Sequence, residues 1–187
     1  MSTFFSMKGF ANEPIVLLYS LPEPGDHDSW LWGRRFSVGV VEPVEVVVIP
    51  DHDQGVLMPF YNTPQIMRRD VLAALRDAGV DNLDTYAAVV KTEAGRVVSD
   101  DYVAYNVIGV ARAADLQRTR FAVENESRLI DASIERLSID RSRTGGLLLF
   151  RLAESLRTVI VHESVRAAVE RRGIRCIEFH GEDDFTF

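Results

Sequence analysis

Apolar positions in this chain recur with two periods. Met67, Val71, Ala74, Leu75 and Ala78 are spaced by three and four, which places them on one face of a helix. Thr63-Pro64 predicts the start of that helix, because threonine can cap it and proline at the first helical position forfeits no hydrogen bond. Gly79 predicts its end, in the left-handed conformation that closes many helices. Residues 163–172 predict a second helix, with Val165, Ala168 and Val169 on its buried face and Gly173 after it. The other apolar runs are strand-sized and rich in β-branched residues: 15–20, 44–49, 85–92, 102–113, 147–152, 158–162 and 177–180. A Glu-Ala-Gly-Arg turn between the third and fourth makes them antiparallel neighbours, and Gly109 marks a bulge in the fourth. Trp30 and Trp32, two residues apart, share a face if this segment is extended. Residues 117–128 read as irregular, and the second half of 130–139 as strand.

Part of the pattern occurs twice. Residues 70–80 (DVLAALRDAGV) align without a gap on 164–174 (SVRAAVERRGI), matching Val71 with Val165, Gly79 with Gly173 and Val80 with Ile174. The expected fold is therefore α+β, a mostly antiparallel sheet of six to eight strands with two helices, each in a helix-glycine-strand unit. A length of 187 residues fits one domain, 1–187.

Composition narrows the class. Hydrophobic residues make up 47% and aromatics 9%, ordinary for a folded protein, and no low-complexity tract suggests a linker. No apolar run reaches membrane-spanning or signal-peptide length, so a cytoplasmic protein without a membrane span is expected. The single cysteine, Cys176, leaves no disulfide framework and reads as a packed core residue. A net charge of −7 argues against nucleic acid and would draw a basic partner.

Candidate chemistry is sparse. His27 and His52 sit in Asp-His-Asp triplets, but neighbouring residues on a strand point to opposite faces, so solvated loop charge outweighs a metal site. Glu163 after His162 suits a helix N-terminus, and no second histidine completes a zinc helix motif. Phosphate-cradling glycine patterns and a nucleophile elbow are missing, so no cofactor and no metal are expected.

Residues 102–115 (YVAYNVIGVARAAD) carry a tyrosine-rich strand start, Asn106 and a Val-Ile-Gly-Val run that leads to Asp115. Downstream follow Leu149-Phe150-Arg151-Leu152, Ile160-Val161-His162-Glu163-Ser164, Gly173-Ile174 and Ile177-Glu178-Phe179; upstream stand Pro59 and the helix to Gly79 with Val80-Asp81-Asn82-Leu83. In this order, over about residues 30–179, the chain resembles the immunity-protein family of bacterial polymorphic toxin systems typified by a myxobacterial member. The resemblance implies an α+β protein, encoded beside its toxin, that neutralises the toxin by binding and has no catalytic residues. Arg112 to Ala114 and residues 117–119 depart from similar sequences and leave the subgroup, and with it the toxin type, open. Candidate partner-binding residues are Trp30, Trp32, Asp51, His52, Asp53, Glu182, Asp183 and Asp184, the tryptophans also fitting a core. Two other classes stay open. One is a hydrolase or transferase whose site assembles from residues distant in sequence. The other is a small-ligand sensor, which requires a cavity between the two copies of the repeated unit.

Overall fold

The computed structural model describes residues 3–122 and 134–182. Its strands are β1 (Phe4–Gly9), β2 (Val44–Val47), β3 (Phe60–Tyr61), β4 (Ile66–Arg68), β5 (Leu83–Lys91), β6 (Val97–Val107), β7 (Val110–Ala111), β8 (Arg120–Phe121), β9 (Ile134–Arg136), β10 (Leu149–Leu152), β11 (Ser155–His162) and β12 (Ile177–His180). The helices are α1 (Arg69–Asp77) and α2 (Glu163–Arg171). Sheet I has the order β2-β5-β6-β4-β3 and sheet II the order β12-β1-β11-β10-β7, with β8 and β9 paired separately. Pairing is antiparallel except for β2 with β5 and β10 with β7. This is an α+β fold, with each helix in a helix-glycine-strand unit.

The short repeat in the sequence is the visible part of a larger one. In sheet I, α1 joins β4 to β5, which lie parallel with antiparallel β6 between them. In sheet II, α2 joins β11 to β12, which lie parallel with antiparallel β1 between them. Carrying the alignment of the helices outward keeps register on every strand. Met67 pairs with Val103 as Val161 pairs with Phe5, and Leu83 pairs with Val107 as Ile177 pairs with Gly9. The β3–β4 and β10–β11 pairs correspond as well, Phe60 facing Met67 as Leu149 faces Val161. Each half is thus a four-stranded unit with one helix, and β1, from the other end of the chain, completes the second.

The halves share a core. Phe60, Met67, Val71, Leu75, Val103 and Tyr105 from one half meet Phe5, Met7, Leu149, Val159, Val161 and Val165 from the other. The helices touch, and Arg172, which directly follows α2, pairs with Asp77 of α1 at 2.5 Å. Because strand side chains alternate, each sheet has a second apolar face. Residues from Val16, Leu18, Leu21 and Trp30 cover that of sheet I, and Ala113, Leu137 and Ile139 cover that of sheet II.

Helix ends follow local chemistry in part. Gly79 (φ +92°) and Gly173 (φ +65°) take the left-handed positions, and the His162 imidazole accepts the Ser164 N–H at the start of α2. The start expected at Thr63-Pro64 is displaced to Arg69: the intervening Ile66 and Met67 are completely buried strand residues paired with Ala104 and Val103. Tertiary pairing outweighs the local capping signal there. Residues 15–20 form isolated bridges at Ile15 and Leu18 rather than a strand, since their backbone bonds are divided among Val56, His52, Ile49 and Val47 and do not run along one neighbour. Gly109 (φ +141°) does more than bulge a strand, because it separates β6 in sheet I from β7 in sheet II. Cys176 is half-buried with φ +62° in the turn before β12, not a packed core residue. The strand-sized runs undercounted the strands, and β1 was missed altogether. The irregular reading of 117–128 and the reading of 130–139 fall partly outside the described residues, within which β8 and β9 lie. Among the described residues, no helix is long and apolar enough to cross a membrane.

Candidate functional site

The candidate binding residues do not converge. Trp30 is 2% exposed, donates its indole N–H to the Pro22 carbonyl at 2.9 Å and stands edge-on to Phe36 and Tyr86. Trp32 is 48% exposed, with the Arg34 guanidinium 4.9 Å from its ring centroid. The segment between them turns, so the shared face expected of an extended pair is not formed. Asp51, His52 and Asp53 make an exposed turn anchored where the His52 carbonyl accepts the Leu17 N–H, on the layer over sheet I. Glu182 lies with the segment over sheet II, accepting from the Ser138 hydroxyl and pairing with Arg118 at 3.1 Å. Asp183 and Asp184 lie outside the described residues.

The first histidine triplet has a structural member. Asp28 is buried, and the Ser37 hydroxyl and N–H both donate to its carboxylate at 2.7 Å. The hydroxyl bond is the largest cause holding its pKa below the usual carboxylate value. Among the described residues no group of three or more His, Cys, Asp or Glu side chains is placed to hold a metal ion.

Two concavities stand out. The first opens on the outer edge of β2. Residues 17–19 close that edge through the Leu18–Val48 bridge and the Tyr19 N–H to Val47 carbonyl bond, then diverge at the prolines. A cavity of about 320 Å³ occupies the gap, walled by Pro22, Trp30, Val40 and Val44 and flanked by Glu23 and Glu45. Beside it Val41 is 85% exposed and Val38 47%. Glu42, between them and the sheet, accepts the Ala87 N–H, and Glu45 pairs with Lys91.

The second cavity, about 350 Å³, lies at the seam between the two halves. Met7 of β1 and Val159 of β11 form one side, and Met58, Phe60 and Asn62 around β3 form the other. The Asn62 amide donates to the Met7 carbonyl at 3.1 Å and ties the sides together. At Gly9 the strands abut so closely that a Cβ there would sit 2.0 Å from the Phe60 carbonyl oxygen. Sequence reading could not find this cavity, whose walls come from three separated segments.

Buried charge also escaped the sequence reading, although Arg151 stands out as a cation within the apolar run LLLFRL. Arg151 is fully buried; one guanidinium nitrogen donates to the Leu156 carbonyl at 2.8 Å, and the other two have no partner among the described residues. Burial pushes its pKa down. Tyr105, equally buried, donates to the Tyr61 carbonyl at 3.0 Å, and burial pushes its phenol up. Glu154, 4% exposed, has one carboxylate oxygen without a partner among the described residues, and burial raises its pKa.

No protein-family model matches this chain, and no curated protein matches it.

Proposed function

We propose that this protein works by binding another protein, as an immunity protein that neutralises a cognate bacterial toxin by covering its active or substrate-binding surface. The supporting observation is the apolar, acid-flanked surface at the edge of β2. Val41 is held out in solvent at a cavity with apolar walls that Glu23 and Glu45 also line, with exposed Val38 and Glu42 in the same segment. Exposed apolar groups ringed by charge are characteristic of interaction sites. Carboxylates add a preference for a cationic partner surface, which the net charge of −7 reinforces at long range. Trp30 belongs to this reading as a wall of the cavity, rigidly held rather than projecting.

The test is co-production with the product of the adjacent toxin gene, together with calorimetry of the purified pair. Binding and protection of a sensitive host are expected; failure of the unmodified protein in both would remove the proposal. Val41→Arg should weaken binding at least about tenfold, the size of an interface anchor. Its melting temperature should stay unchanged, because the side chain contributes little to packing.

A further inference from the structure

We infer that the outer edge of β12 pairs antiparallel with the same strand of a second copy of this chain, joining two copies of sheet II into one continuous sheet, independently of the toxin-binding surface at β2. The internal repeat supplies the first reason. β12 holds in its half the place that β5 holds in the other, since Ile177 corresponds to Leu83. The outer side of β5 is closed by β2 and by the Glu42 carboxylate, which accepts the Ala87 N–H. β12 bonds to β1 on one side, and among the described residues no backbone group bonds to the other. An open strand edge is a template for another strand.

Backbone geometry fixes which groups that edge offers. The Phe10 N–H donates to the Cys176 carbonyl at 3.0 Å, so Cys176, Glu178 and His180 turn their backbone bonds towards β1. Ile177 and Phe179, alternating with them, direct theirs outwards. A second copy offers the same positions, and a two-fold pairing can set Ile177 against its own copy, Ile177 against Phe179, or Phe179 against its own copy. The first runs off β12 into the turn at Cys176, whose φ of +62° is not extended backbone. The second opposes the two Glu178 carboxylates directly. The third keeps the pairing within residues 177–181 and sets Glu178 of each copy opposite His180 of the other. Within one chain these two side chains already meet at 3.0 Å, so carboxylates and imidazoles would alternate along one face of the joined sheet, each keeping its own partner and gaining a second. Unlike groups facing across strands stabilise a pair, and like charges do the reverse. On the opposite face the two half-buried Phe179 rings meet at the axis. The strand is complementary to itself in this one register.

Sedimentation equilibrium of the full chain tests the assignment. Dimers are expected to form between about 10 µM and 1 mM, a weak range that suits a short edge contact. His180→Glu, which opposes carboxylate to carboxylate, should weaken the dimer at least about tenfold, and His180→Lys should retain it, both folded by circular dichroism. Val41→Arg should leave it unchanged. Register is read without altering charge pairs at the axis: in a Cys176→Ser background, mild oxidation should cross-link Phe179→Cys to itself but not Ile177→Cys, because only the residue on the axis meets its own copy. Cross-linking of Ile177→Cys alone would overturn the register, and a dimer that His180→Glu leaves equally tight would overturn the β12 contact. Monomers at every concentration up to about 1 mM would overturn the second copy as occupant, and slow exchange of the Ile177 and Phe179 amides in that monomer would assign the edge to the chain's own terminal residues.

Discussion

At the scale of single residues, three positions bear more than their side chains suggest. Gly9 is required by the approach of β1 to β3, where an added Cβ would meet the backbone oxygen of Phe60 at 2.0 Å. Backbone cannot swing aside as a flexible side chain can, so Gly9→Ala should cost about 1–3 kcal/mol, read from the midpoint of urea unfolding. Arg151 presents the opposite case, a buried cation with only part of its hydrogen-bonding capacity used. Replacing a poorly compensated buried charge with an apolar group of similar length is often stabilising by about 1–4 kcal/mol. Arg151→Met should therefore raise the melting temperature at neutral pH. Asp28 gives a pH signature. Its carboxyl is held low by Ser37, so its stabilisation is present above the unfolded carboxylate value and is lost as pH falls through the lower folded value. Ser37→Ala should destabilise the protein by a constant amount above about pH 5, and the difference should shrink in more acidic urea titrations.

At the scale of elements, the two helices show what local sequence can carry. Their apolar spacing and closing glycines depend only on neighbours within a turn or two, and both were legible. Gly79 and Gly173 hold left-handed backbone in equivalent places, so an alanine at either should cost about 1–2 kcal/mol by the same measurement. Space is open around Gly173, whereas a Cβ on Gly79 would also touch Leu148, so conformation is the main cost at both. The first helix began late because Ile66 and Met67 were claimed by β6, more than thirty residues onward, and no capping rule registers such a partner. The β1 strand escaped notice for a related reason. Phe4 to Gly9 is a short mixed run whose position inside sheet II depends on β11 and β12 at the far end of the chain. Among the candidate site residues, the exposure of the Asp51–His52–Asp53 turn followed from its polarity. The divergent fates of Trp30 and Trp32 did not, because they hinge on one turn and on the Pro22 carbonyl that receives the Trp30 indole.

At the scale of the whole molecule, the protein is a doubled unit with one strand supplied from a distance. Because β1 lies antiparallel to β12, with Ser6 opposite His180, its start is close to the end of β12, and moving residues 3–10 to follow β12 through a short glycine-serine linker would give two continuous tandem units. That permuted chain should fold to the same structure, with matching far-UV circular dichroism and an NMR spectrum changed only near the new junction; a collapsed or aggregated product would argue against the equivalence of the halves. The doubling also explains why the sequence showed the repeat only at the helices. Strand positions match in register but not in residue type, since Tyr105 and Met7, or Val107 and Gly9, face different surroundings in the two halves.

The placement of β1 also sets an order of events during synthesis. The residues of β1 are made before both of their partners in sheet II, β11 and β12, with more than a hundred residues between them. The unit built from β3 to β6 is contiguous and can assemble while the chain is still growing, as domains commonly do. The other unit must wait until β11 and β12 have been made, with Phe4, Phe5 and Met7 meanwhile available to chaperones or to the wrong strand edge. A chain truncated or stalled before β11 would therefore expose β1 as an orphan strand.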